Sequence, residues 1–231
     1  MPLPWAIYQK AYRRNSWGST AIRAVYHRCM NGPLPNVTAF ILAGGKSTRM
    51  ETDKAFVALD GRTLLARALD VVRSVTSDVR IVGDAAKFAS FAPVVEDMFR
   101  GCGPLGGIHA ALRASVTDLN LVLAVDLPFV SAALLQYLVT QAQDSTEAAV
   151  TVPRAAGGWQ PLCAVYRKEF ADAAELALRE GCYKIDALFD VVKVRVIDED
   201  ELAGRGFSPR IFRNLNTQEE LDGARVEDVN R

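Results

Sequence analysis

The junction between the short apolar run Val37–Leu42 and the loop after it constrains the fold most. That loop reads Ala43-Gly44-Gly45-Lys46-Ser47-Thr48-Arg49-Met50-Glu51-Thr52-Asp53-Lys54. A run so short and so apolar reads as a strand buried on both faces, the habit of parallel sheets. Paired glycines directly after such a strand let the backbone approach a ligand closely and aim N–H groups at phosphate. Lys46, Arg49 and Lys54 concentrate three cations there. The spacing is neither G-x-x-x-x-G-K-S/T nor G-x-G-x-x-G, which excludes the two commonest nucleotide-loop signatures.

Downstream, apolar runs alternate with helical spacings. Strands are expected at Val37–Leu42, Val79–Val82, Val94-Val95, Asn120–Val125, Ala148–Val152, Pro161–Tyr166, Val191–Ile197 and Ile211–Leu215. Helices are expected over Thr63–Arg73, from the glycine-rich turn Gly101–Gly107 through Leu112, over Ala132–Ala142 behind a Ser131 cap, over Lys168–Glu180 up to Gly181, and over Gln218–Arg225. Strands alternating with helices predict a three-layer α/β fold around a mostly parallel sheet. There is no internal repeat.

In such sheets ligands bind beyond the carboxyl ends of the strands. That rule selects loops 43–54, 97–107 and 126–130. In the third, an apolar strand ends at Asp126, followed by Leu127-Pro128-Phe129. A carboxylate at that edge is suited to Mg²⁺, which takes one or two carboxylates plus phosphate oxygens. In the second, Glu96-Asp97 precede Gly101-Cys102-Gly103-Pro104-Leu105-Gly106-Gly107, where glycines admit a planar group or a phosphate. Phosphate-binding glycines, cations and a metal-binding carboxylate on one rim suggest nucleotidyl transfer, in which positioning and charge neutralisation supply most of the rate. Trp159, beside Gly157-Gly158, is read as a stacking surface, an exposed loop residue or a partner contact. His27 and His109 are the only histidines, so chemistry built on a histidine base is not expected.

Net charge bears on partners only after the chain is divided. The total is zero, but residues 1–36 contain five Lys and Arg and no acid, whereas residues 37–231 contain 22 bases and 27 acids. The chain is therefore read as a basic N-terminal extension, 1–36, and one domain, 37–231. The extension is taken as a disordered lead or as residues upstream of a true start at Met30; a transit peptide or a basic arm are the other readings. A mildly acidic domain argues against nucleic acid as partner. No apolar run approaches the ~18 residues of a membrane span. Cys29, Cys102, Cys163 and Cys182 form no CxxC pair and read as reduced cytoplasmic thiols.

The motifs resemble those of the MobA family, the molybdenum cofactor guanylyltransferases. The family pattern LAGGxSxRMGxDK is similar to Leu42–Lys54 at every defined position but one, Glu51 standing where glycine is usual. GPLAGI resembles Gly103–Ile108, with Gly106 for alanine, and the strand-end Asp-x-Pro resembles Asp126-Leu127-Pro128. The QPL segment followed by an aromatic resembles Gln160-Pro161-Leu162 to Tyr166. The pattern N-I/V-N-T-P-E-D/E-L resembles Asn214–Leu221, with Leu215 and Gln218 as departures. These matches cover roughly 37–224.

The resemblance implies a Rossmann-like nucleotidyltransferase fold that transfers GMP from GTP to molybdenum-molybdopterin with Mg²⁺. Leu42, Ala43, Gly44 and Gly45 would contact GTP through backbone, and Lys54 its phosphates. Asp97 would contact the nucleotide, and Asp126 both Mg²⁺ and nucleotide. Arg49 would join Lys54 and Asp126 in catalysis, with Gln160, Asn214 and Asn216 on the pterin side. Molybdoenzyme apoproteins or their chaperones follow as further partners. Glu51 puts a carboxylate inside a triphosphate loop, where glycine usually supplies a positive φ. The rival readings are a related transferase, such as a cytidylyltransferase of the same cofactor, which typically reads LAAG, or a non-catalytic cofactor-delivery module.

Overall fold

Val37–Leu42 forms β1 at the middle of the principal sheet in a computed structural model that describes residues 34–44 and 53–215. The remaining strands of that sheet are β4 (Asp78–Val82), β5 (Val94–Val95), β6 (Leu119–Ala124), β7 (Val150–Ala155), β8 (Gly158–Trp159), β9 (Cys163–Arg167) and β10 (Val194–Ile197). A small hairpin of β2 (Ala58–Leu59) and β3 (Arg62–Thr63) stands apart. The order across the sheet is β10-β7-β9-β6-β1-β4-β5, with β8 paired to β7. β1 runs parallel to β4 and β6, β4 to β5, and β7 to β10; β9 runs antiparallel to β6 and β7. The sheet is thus mostly parallel, and the carboxyl ends of β1, β4, β6 and β7 share one rim.

β1 is apolar throughout because both of its faces are covered. Val37, Ala39 and Ile41 pack with Leu64, Leu65, Ala68 and Leu69 of the helix Leu64–Arg73 and with Leu134, Leu135 and Leu138 of the helix Ala132–Asp144. Phe40 and Leu42 pack on the other face with Leu105, Ile108 and Leu112 of the helix Gly103–Ala114. Phe170 and Ala174 of the helix Phe170–Arg179 complete that layer. Two helical layers around one sheet make the three-layer α/β fold.

Ser131 caps its helix as expected, accepting from the Leu134 N–H. One expected strand is absent. Pro209–Phe212 is a 3-10 turn whose first residue is proline and whose cap is Ser208, so Ile211 and Phe212 cannot extend. Arg213–Leu215 then runs back to the rim, where the Leu215 N–H donates to the Asp126 carbonyl at 3.1 Å. The short helix Glu199–Gly204, capped by Asp198, lies inside what the sequence presents as loop. The helix expected at Gln218–Arg225 lies outside the described residues, as does residues 1–33 of the basic extension.

Candidate active site

The rim begins where β1 ends. The Ala43 and Gly44 N–H groups both donate to the Val82 carbonyl, at 3.0 and 3.1 Å, which bends the chain over β4 as it leaves the sheet. Leu42 and Ala43 are buried and Gly44 is exposed at the lip. The loop then passes through Gly45, Lys46, Arg49 and Glu51, which lie outside the described residues. It returns at Asp53, whose Oδ1 accepts from the Ala55 N–H at 3.2 Å and starts the 3-10 turn Lys54–Phe56. Asp53 Oδ2 meets Lys87 Nζ at 2.8 Å and raises the Lys87 pKa. Asp53 is therefore an anchor that fixes the end of the basic loop to the segment after β4.

That anchor sets Lys54 against the next strand. The Val125 N–H donates to the Leu42 carbonyl at 3.1 Å, which carries the chain one step past β6 and delivers Asp126 to the rim. Lys54 Nζ lies 3.5 Å from Asp126 Oδ2, with both side chains largely shielded. Asp126 Oδ1 is buried and, among the described residues, accepts no hydrogen bond. A carboxylate oxygen out of water with an unused lone pair is costly unless a cation or donor reaches it. The donor set fits Mg²⁺ held by one carboxylate and substrate phosphates; among the described residues no group of three or more His, Cys, Asp or Glu forms a self-contained metal cage.

Asp97 follows β5, roughly 14 Å of sheet away from β6 at ~4.8 Å per strand. Its Oδ1 accepts from the Phe99 N–H at 2.8 Å. Burial holds its carboxyl above the usual carboxylate range, with the Phe99 N–H pulling the other way. The carboxylate is pressed onto the first turn of the Gly103–Ala114 helix: a Cβ at Gly106 would stand 2.7 Å from Asp97 Oδ2 and 2.9 Å from the Phe99 carbonyl. Behind this loop lies His109, fully buried, with its ring edge-on to Phe99 at 5.1 Å and Nε2 3.4 Å from Glu175 Oε2.

On the other side of Asp126, Gln160 braces the β7–β8 hairpin. Its N–H donates to the Pro153 carbonyl at 2.9 Å and its Nε2 to the Ala155 carbonyl at 3.0 Å. Asn214 is exposed beside Leu215, whose N–H holds the Asp126 carbonyl. Asn216 lies outside the described residues. The structure thus brings Leu42, Ala43, Gly44, Lys54, Asp126 and Asn214 to one stretch of rim, with Asp97 to one flank and Gln160 to the other. The Asp53–Lys87 tie, the Gly106 seat for Asp97 and the burial of His109 carry no local sequence signal, since each depends on a contact between distant segments.

A mostly parallel sheet between two helical layers, with a Gly-rich basic loop after β1 and, after β6, a carboxylate whose Oδ1 is unpartnered among the described residues, defines an α/β nucleotidyltransferase. Residues 39–193 match the MobA-like NTP transferase domain, and the chain belongs to that family. It is 37% identical over 193 residues to the molybdenum cofactor guanylyltransferase of Desulfosudis oleivorans, covering 81% of this chain and 94% of that one. It is 31% identical over 189 residues to the molybdenum cofactor guanylyltransferase of Syntrophotalea carbinolica, covering 80% and 89%. Among solved structures it is similar to molybdopterin-guanine dinucleotide biosynthesis protein A from Archaeoglobus fulgidus. That likeness has a TM-score of 0.74 and 27% identity, over 84% of this chain and 100% of that one.

Proposed function

We propose that this protein transfers GMP from GTP to the terminal phosphate of molybdenum-molybdopterin, giving the guanine dinucleotide cofactor and pyrophosphate. One observation carries the reading: Lys54 and Asp126 face each other at the rim while Asp126 Oδ1 stays buried and unpartnered among the described residues. The name molybdenum cofactor guanylyltransferase borne by the relatives supports GTP as the nucleotide and molybdopterin as the acceptor.

In this reading the nucleotide runs along the rim from Asp97 toward Asp126. Backbone N–H groups of the loop after β1 cradle the phosphates. Lys54, with Arg49 from the same loop, neutralises charge that builds on the leaving pyrophosphate. Mg²⁺ held at Asp126 would supply charge neutralisation on the α- and β-phosphate oxygens. An oxygen of the acceptor phosphate forms the new bond to the α-phosphorus in line, and the bridging α–β P–O bond breaks. The acceptor dianion is already a nucleophile, so no general base is required, and the absence of histidine from the rim among the described residues is consistent with that.

Gln160, Asn214 and Asn216 stand on the acceptor side. Molybdoenzyme apoproteins or their chaperones are the natural recipients of the product, and the cytoplasm is the compartment in which free Cys102, Cys163 and Cys182 would persist. No helix among the described residues is long and apolar enough to cross a membrane.

The test is turnover with purified full-length protein, GTP, Mg²⁺ and molybdenum-molybdopterin, following the dinucleotide and pyrophosphate. CTP and UTP serve as parallel arms. Product from GTP that falls away on chelation supports the reading. Faster turnover with CTP, or no product from any nucleotide, overturns it.

A further inference from the structure

The hairpin at the end of β7 carries a charge where the strand's own pattern calls for an apolar residue. Side chains two apart along a strand share a face. Val150 and Val152 are buried in the core cluster that holds Phe170 and Ala174 of the helix Phe170–Arg179 together with Leu188 and Phe189, and the next position of that series is Arg154, which is exposed. Among the described residues its guanidinium makes no ion pair. It lies over the ring of its cross-strand partner Trp159, 5.3 Å from the centroid. Trp159 is half-buried and buttressed from beneath by Phe189, ring edge to face at 5.1 Å.

The pair is held rigidly. The turn joining β7 and β8 has φ of 53° at Ala156 and 76° at Gly157, the two left-handed residues a tight hairpin turn of this hand requires. Glycine takes that conformation freely, whereas Ala156 adopts it at a cost of about 1 kcal/mol. Both hydrogen bonds of Gln160 lock the strand beside it. β7 and β6 run in the same direction with β9 between them, so the hairpin shares the rim with Asp126 at two strand spacings, about 10 Å.

We propose that Arg154 and Trp159 form the seat for the pterin ring of the acceptor. This inference rests on the function proposed above. A guanidinium packed on an indole presents a flat, cationic surface with its N–H donors still available. That combination suits a planar heterocycle rich in carbonyl and ring-nitrogen acceptors. The span from the hairpin to Asp126 is comparable to that between the ring system of a pyranopterin and the phosphate on its side arm. A ring seated on the hairpin therefore delivers its phosphate to the metal-binding carboxylate, with the Gln160 backbone fixing the distance between them.

The decisive experiment has two arms, both on the full-length protein. In the kinetic arm, Arg154→Gln raises KM for molybdenum-molybdopterin by roughly tenfold or more, the scale of one lost cation–π and stacking contact, while KM for GTP stays within about twofold. Trp159→Leu behaves like Arg154→Gln, and Trp159→Phe restores most of the affinity. An unchanged acceptor KM in Arg154→Gln overturns the proposal, whatever that variant does to stability.

The binding arm stands independently of turnover. In protein carrying Trp5→Phe and Trp17→Phe, Trp159 is the sole indole. Molybdopterin added without nucleotide quenches its fluorescence saturably, and Arg154→Gln weakens that quenching by a similar factor. Absence of quenching overturns the seat. Quenching in a protein that makes no dinucleotide would retain the seat and overturn the transferase reading instead.

Discussion

Lys54 Nζ stands 3.5 Å from Asp126 Oδ2, joining the return of the basic loop to the end of β6, while the other oxygen of the same carboxylate is buried without a partner among the described residues. At that separation, with each side chain still partly exposed, the ion pair contributes little to stability, on the order of 0–1 kcal/mol. In the proposed function that arrangement serves the bound nucleotide and metal more than the fold. Asp126→Asn keeps the shape of the side chain and removes the charge a metal needs. It is expected to lower turnover by ~10²-fold or more while shifting the thermal midpoint by only a few degrees. Paired assays of pyrophosphate release and thermal unfolding check this; wild-type turnover in Asp126→Asn would remove it as the metal ligand.

Gly106 and Gly107 are adjacent in one helix but meet different surroundings. A Cβ at Gly106 would sit 2.7 Å from Asp97 Oδ2 and 2.9 Å from the Phe99 carbonyl, whereas one at Gly107 would meet Val82 and Leu42 side-chain atoms at 3.4 and 3.5 Å. Alanine gains up to ~1 kcal/mol over glycine inside a helix. Gly107→Ala is therefore expected to be neutral or slightly stabilising. Gly106→Ala must push the 97–99 segment off its seat, at an overpacking cost of about 1–3 kcal/mol and a fall of roughly 3–10 °C in Tm. Because the displaced group is Asp97, KM for GTP should rise in Gly106→Ala alone. Calorimetric unfolding and GTP titration of the two variants check the contrast, and indistinguishable behaviour would sink it.

The residues of the rim differ in how far they could be read from sequence, and the difference follows contact range. Asp126 and the Gly44-Lys54 loop are legible because each directly continues a buried strand, and a charge that breaks an apolar run at a sheet's carboxyl edge is a local signal. The strand order is not local: β9 inserts between β6 and β7 antiparallel to both, which no periodicity records. Ile211–Leu215 has strand composition, yet Ser208 and Pro209 turn its first half into a 3-10 cap. The seat of Asp97 on Gly106 and the tie from Asp53 to Lys87 join segments that meet only after the sheet has formed.

Glu175 lies on the helix Phe170–Arg179 and accepts from Arg179 Nη2 at 2.6 Å and from Arg113 Nη2 at 2.6 Å, with His109 Nε2 at 3.4 Å. The bonds from Arg179 and Arg113 hold its carboxyl down, at about 2 against an ordinary 4.5. A carboxylate depressed in the folded state stabilises above its unfolded pKa and loses that contribution as pH falls through the folded value. The window is therefore about pH 4.5 to about 2. Glu175→Gln should flatten the acid limb of stability in that window: its deficit against wild type is present above about pH 4.5 and vanishes toward about pH 2. Denaturant unfolding of both proteins across a pH series reads the difference; parallel acid limbs would show that the cluster is not linked to folding.

Cys163 opens β9 opposite Leu123 of β6 and is fully buried. Burial pushes its thiol up to about 12, so almost no thiolate is present near neutrality. Reactivity follows the thiolate and its access, and both are denied here. Cys182 is exposed just after the helix that ends at Arg179, and Cys102 is partly exposed in the glycine-rich turn. Among the three described cysteines, alkylation of native protein with iodoacetamide near pH 8, followed by peptide mapping, should label Cys182 first, Cys102 more slowly and Cys163 only after denaturation. Cys163 packs in the core cluster that also holds Leu134, Leu135 and Leu138 of the helix Ala132–Asp144, so its labelling rate reports opening of that core. Label on Cys163 as fast as on Cys182 under native conditions would mean that the core over β9 is not closed as described.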